Sequence, residues 1–144
     1  MIEQDTVKLL RECDSGIKMG VKSIDDVIDH VHDKELKTFL NRCKDEHESL
    51  AREVERMLVE YGDDGKDPSA IIKGMSWIKT NMKLSMSETD KTIADLMTDG
   101  CNMGVKSLSK YLNQYAAADE RSKDIAKRLI KLEAQLSEQM RDYL

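Results

Sequence analysis

At 144 residues the chain is long enough for one domain with a substantial core, and short for two. Hydrophobic residues make up 40% and charged residues 35%, with seven glycines and one proline, a balance that favours long helices over sheet. Asp and Glu total 28 against 23 Lys and Arg, so the net charge of −5 offers phosphate backbones no general attraction, and the few aromatics form no stacking platform for bases.

The longest apolar run, Tyr115-Ala116-Ala117-Ala118, falls far short of the ~20 residues that cross a bilayer. The start, Met1-Ile2-Glu3-Gln4-Asp5, lacks the basic and apolar regions of a signal peptide. The expectation is a cytoplasmic protein with no membrane insertion and no nucleic-acid partner. Cys13, Cys43 and Cys101 are an odd, widely spaced set with no CxxC, which is neither a disulfide framework nor a zinc signature. Each lies at a helical core spacing, where a free thiol behaves as a small apolar side chain.

In chain order, the first helical stripe is Leu10, Cys13, Ile17, Val21, Ile24, Ile28 and Val31. His32-Asp33-Lys34 interrupts it, and Asp33 suits the cap of the next helix. The second stripe runs from Leu36 through Phe39, Leu40, Cys43, His47, Leu50, Val54, Met57 and Leu58 to Tyr61, and Gly62-Asp63-Asp64-Gly65 ends it. Asp67-Pro68-Ser69 restarts a helix whose stripe is Ile71, Met75, Ile78 and Met82, with Trp77 beside it. Ser87-Glu88-Thr89-Asp90 gives a weak capping signal for a fourth stripe, Ile93, Met97, Cys101, Val105, Leu108, Leu112 and Tyr115. After a break near Ala116-Ala117-Ala118-Asp119, the last stripe is Ile125, Leu129, Leu132, Leu136, Met140 and Tyr143.

An internal repeat organises these segments. Met19-Gly20-Val21-Lys22-Ser23 recurs 84 residues later as Met103-Gly104-Val105-Lys106-Ser107, and Gly16 meets Gly100 at the same offset. At an offset of 86, Asp33 matches Asp119, Phe39 Ile125, Cys43 Leu129, and Leu50 Leu136. The chain therefore reads as one domain over 1–144: a hairpin at about 3–61, a connector over 62–86, and a second hairpin at about 87–144. A connector helix over 69–84 would cover about 24 Å, enough to carry the chain back along much of a bundle. Two hairpins joined by one long crossover form the ferritin-like arrangement of four helices.

The two duplicated hairpins, the connector Gly74-Met75-Ser76-Trp77-Ile78-Lys79 and the acidic amphipathic helices resemble the small bacterial ferritin-like proteins of unassigned function. The resemblance implies an all-α four-helix bundle, often self-associating, with no established reaction. Ferritin-like oxidases need a Glu from each of two helices and a Glu-x-x-His from each of the other two. No Glu-x-x-His occurs here, and the inward stripes Ile17, Gly20, Val21, Ile24 and Cys101, Gly104, Val105, Leu108 carry no carboxylate. No di-iron centre and no cofactor are expected.

One polar remnant stands out. His47 lies in the second stripe, and the repeat sets Glu133 at its equivalent position. The plainest reading makes both boundary residues, partly solvated at the edge of a stripe. A buried His–Glu pair is the second reading, and a metal site of His47, Glu133 and either Glu46 or Cys43 the third. His30 and His32, two residues apart on different helix faces, are expected to face solvent. The mid-helix pairs Gly16/Gly20 and Gly100/Gly104 each sacrifice about 1 kcal/mol per Gly relative to Ala, so a close approach, a kink or a large neighbour is expected there; a small ligand cavity is the alternative. Nine methionines supply core filler, with those on the connector suited to a partner groove.

No catalytic motif is present. The sequence points to a non-enzymatic ferritin-like bundle acting in self-assembly or protein-partner binding. Its alternative is a metal-binding ferritin-like protein with a degenerate site around His47 and Glu133.

Overall fold

Four of the apolar stripes become long helices in the computed structural model, which describes residues 2–63 and 89–144. They are α1 (Ile2–Ile28), α2 (Lys34–Glu60), α3 (Asp90–Gln114) and α4 (Glu120–Met140), followed by a short 3-10 turn, Arg141–Tyr143. Among the described residues all regular structure is helical. The connector stripe, with Trp77, Met75, Met82 and Met86, lies outside them.

Local chemistry sets the helix ends. Asp33 stays extended and its carboxylate accepts the Leu36 N–H at 2.8 Å, which makes it the N-cap of α2. Asp119 does the same for α4 through the Ser122 N–H at 2.8 Å. At the far end of α2, Gly62 takes φ +69°, a conformation with little steric cost for glycine. Its N–H reaches the Val59 carbonyl and the Asp63 N–H the Leu58 carbonyl, each at 3.0 Å, closing a Schellman motif. The cap of α3 is Thr89, within the weak capping signal of Ser87-Glu88-Thr89-Asp90, and its hydroxyl accepts the Thr92 N–H at 3.2 Å.

The apolar faces meet in one core, built around Leu9, Leu10, Ile17, Ile24, Leu36, Leu40, Leu58, Ile93, Ile125, Leu129 and Met140, all essentially inaccessible. Burying one such side chain contributes about 1.5–3 kcal/mol. α1 and α4 each pack against the three other helices, while the backbones of α2 and α3 stay apart across the bundle. In α1 the buried face takes in Leu9 and Val27, whereas Val21 and Ile28 lie half-buried at its edge.

Polar clasps fix the two ends. Asp90, at the start of α3, accepts the His32 and Asp33 N–H groups at 2.8 Å each. The start of α1 holds the other turn: Thr6 accepts the Asp119 N–H at 2.8 Å and Asp5 the Ala117 N–H at 3.1 Å. The hydroxyls of Tyr61 and Tyr143 donate to Asp119 and Asp33 respectively, at 3.2 and 3.0 Å. The start of α1 and the end of α2 thus lie at the same end of the bundle as the α3–α4 turn. The start of α3 and the end of α4 lie beside the α1–α2 turn.

Candidate functional site

His47 stands in the middle of α2 and Glu133 past the middle of α4, and these two helices, packed side by side, bring them together. Their side chains meet Nε2 to Oε1 at 2.8 Å. His47 is 1% exposed and Glu133 8%, which corrects the expectation of solvated boundary residues. The correction has a simple cause. Each group supplies the hydrogen-bond partner that makes burial of the other tolerable.

The proton count follows from the other side of the ring. His47 Nδ1 lies 2.7 Å from the Cys43 carbonyl oxygen, one turn earlier in α2. A carbonyl can only accept, so Nδ1 carries a hydrogen and donates it. Nε2 and Oε1 then share one further proton. Burial alone would lower the imidazole pKa, but its bonds to Cys43 and Glu133 and the Glu133 charge outweigh it and hold the value near 10. The pair is an imidazolium bridged to a carboxylate.

Two thiols flank the pair. Cys43 Sγ lies 3.4 Å from His47 Nδ1, so that N–H faces both the carbonyl and the sulfur of the same residue. Cys101 comes from α3, where burial and the neighbouring Glu133 carboxylate push its thiol far up, away from ionisation. Cys13 lies elsewhere in α1, buried, and desolvation with Glu12 and Asp14 pushes it up to about 12. All three cysteines are free and buried.

The glycine pairs divide by position. A Cβ on Gly20 would sit 3.0 Å from His47 Cδ2 and Nε2, so the α1 backbone lies directly over the imidazole. A Cβ on Gly104 would meet the Glu133 carboxylate at 3.6 Å, an ordinary contact. Gly16 would meet only Leu129, at 3.9 Å, and Gly100 faces open space. The geometric need expected of all four is therefore sharp only at Gly20. Gly16→Ala and Gly100→Ala are expected to raise stability by about 1 kcal/mol each through helix propensity. Gly20→Ala is expected to lower it by roughly 1–3 kcal/mol, because the ring is pinned on both sides and cannot retreat. Urea denaturation of the three variants checks the order.

Of the remaining sequence candidates, Glu46 is exposed and points away from the pair into a groove between α2 and α4. His32 is exposed, whereas His30 is half-buried at the end of α1. Asp14 is a buried carboxylate on α1 that the apolar stripe did not reveal. Its Oδ2 takes the Lys18 ammonium at 2.9 Å, and its Oδ1 has no hydrogen-bond partner. The signal that could have found it is the Asp14/Lys18 spacing of one turn.

The site can hold a proton tightly between two helices. Nε2 and Oε1 at 2.8 Å are at hydrogen-bond distance. Among the described residues, no three His, Cys, Asp or Glu side chains are grouped to hold a metal ion. No described helix is long and apolar enough to cross a membrane.

No curated protein and no solved structure matches the chain. The family described as a domain of unknown function, DUF2383, matches residues 5–114, which take in α1, α2, the connector and α3. The chain belongs to that family.

Proposed function

We propose that the chain is a ferritin-like bundle of two pseudo-repeated hairpins that works as a non-enzymatic scaffold for self-assembly or protein-partner binding. The order of the helix ends supports the topology. α2 finishes beside the α3–α4 turn and α3 begins beside the α1–α2 turn, at opposite ends of the bundle, which supports a long crossover between the hairpins. The end clasps support the repeat. Thr6 and Asp90, 84 residues apart, each receive the N–H of the capping aspartate of the other hairpin, Asp119 and Asp33, which are 86 apart.

The observation that carries the functional reading is the bundle's centre. A di-metal site asks for four inward carboxylates and two histidines. Among the described residues, the carboxylate beside His47 is Glu133, already bonded to it, and the buried Asp14 is held by Lys18. What remains for interaction is the outside, where Met19, Val59 and Met103 are exposed.

Light scattering on the purified protein over a wide concentration range tests the reading, together with affinity capture and mass-spectrometric identification of bound proteins. A defined oligomer, or a stoichiometric complex reconstituted from purified components, is expected. A strict monomer at high concentration with no reconstitutable partner would contradict it. The competing metal reading requires His47 Nε2 and Glu133 to give up the proton between them. Elemental analysis after loading with iron or manganese separates the two: stoichiometric metal that is lost in His47→Ala would replace the scaffold reading.

A further inference from the structure

The pair at the centre of the bundle has a neighbour with a route to solvent. A groove of about 650 Å³ opens between α2 and α4, with Phe39, Leu132 and Leu136 among its walls and Cys43 in its lining. Cys43 is 5% exposed and lines the groove. Behind the sulfur, at 3.4 Å, stands His47, and behind His47, at 2.8 Å, Glu133. The three side chains form a line from the groove into the core: a thiol, an imidazole facing it through Nδ1, and a carboxylate that fixes the far side of the ring.

We propose that Cys43 is an oxidation-sensitive thiol, reached through the α2–α4 groove by small hydroperoxides and activated by the His47–Glu133 pair behind it. The site is stoichiometric and independent of the scaffold reading above.

The chemistry needs a thiolate, since the thiol itself is a poor nucleophile. A positively charged imidazole that aims its Nδ1–H at sulfur as well as at the carbonyl favours that form. Glu133 keeps the ring charged and oriented. The groove contributes mixed charge: Arg42 and Arg141 favour the anion, while Glu46, Glu138 and Asp142 oppose it. Cys101, on α3, neighbours the Glu133 carboxylate, and Cys13 lies between the acidic chain neighbours Glu12 and Asp14, whose charges disfavour its thiolate. Of three buried thiols, one therefore sits beside a cation and two beside anions.

In the reaction the Cys43 thiolate attacks one peroxide oxygen. A sulfur–oxygen bond forms as the oxygen–oxygen bond breaks. Sulfur is oxidised by two electrons to the sulfenic acid, and the peroxide is reduced to an alkoxide or hydroxide that takes a proton from water in the groove.

The test uses the reduced full-length protein under native conditions. It is treated with hydrogen peroxide, trapped with dimedone at intervals, and mapped by peptide mass spectrometry. Cys43 is expected to be labelled at least about tenfold faster than Cys13 or Cys101, because it alone pairs a groove with a neighbouring imidazole. In urea the three rates should converge. His47→Gln and Glu133→Gln, where folded by circular dichroism, should slow Cys43 by a similar factor and shift the pH profile of its labelling upward. A purely structural contact would leave that profile in place. Equal native rates for the three thiols would overturn the proposal, as would folded variants that react as fast as the parent. Should neither variant fold, the comparison of the three cysteines in the parent protein still decides it.

Discussion

His47→Ala should destabilise the fold by about 3–5 kcal/mol, well above the ordinary cost of losing a buried side chain of that size. The excess arises from what is left behind. Glu133 is 8% exposed, and without the imidazolium its carboxylate faces Gly104 and the Cys101 thiol with no charge partner. Chemical denaturation monitored by helical circular dichroism reads the loss directly. The double replacement His47→Leu with Glu133→Leu should behave quite differently. Removing both charges together removes two desolvation costs, and apolar replacement of a buried pair is often neutral or stabilising. The double variant is therefore expected to be more stable than His47→Ala, and close to the parent. Additive losses in the double variant would mean that the two residues contribute separately and that their 2.8 Å contact matters little.

Stability should also fall as the solution becomes alkaline, starting near neutrality. In the unfolded chain His47 titrates near 6.5, and in the folded protein near 10. Below about 6.5 both states are protonated and the pair contributes in full. Above it the unfolded chain releases a proton that the folded chain keeps. The favourable contribution then declines as pH rises, and is lost once pH passes the folded value. The slope is at most about 1.4 kcal/mol per pH unit. Cys13 and Cys101 are raised in the folded protein as well, and add a slope of the same sign once unfolded thiols ionise near 9.0. Unfolding free energies compared at about pH 6.5 and 8.5 isolate the histidine, with an expected loss on the order of 2 kcal/mol. His47→Gln should flatten that dependence. An undiminished slope in the variant would assign it to other groups.

Much of the fold was legible one residue at a time. Asp33 and Asp119 each precede an amphipathic run and cap a helix, because a short carboxylate can reach an N–H three residues on. Gly62 follows the last apolar residue of α2 and adopts the left-handed conformation that closes it. Thr89 was harder to single out, since Ser87 and Thr89 offer the same capping chemistry two residues apart in one short stretch. The alignment of His47 with Glu133 also came from sequence, through the repeat offset. Their burial did not, because a helical stripe says which face a residue occupies and nothing of how near the facing helix comes. That distance depends on Gly20, whose missing side chain lets α1 lie against the imidazole. Gly16 and Gly100 gave the same sequence signal without the same need. Asp14 escaped notice for a related reason: a carboxylate beside an apolar stripe reads as solvated until its lysine, Lys18, is seen folded over it.

The claim on which the rest depends is that a proton bridges α2 and α4 at the middle of the bundle. Nitrogen-15 NMR of the His47 ring in the intact protein, followed from about pH 6 to pH 10, tests it most directly. The expected result is two protonated ring nitrogens through pH 8 and beyond, with Nδ1–H and Nε2–H both protected from solvent exchange. A ring with one bare nitrogen at neutral pH, titrating near 6.5 as a solvated histidine does, would contradict it.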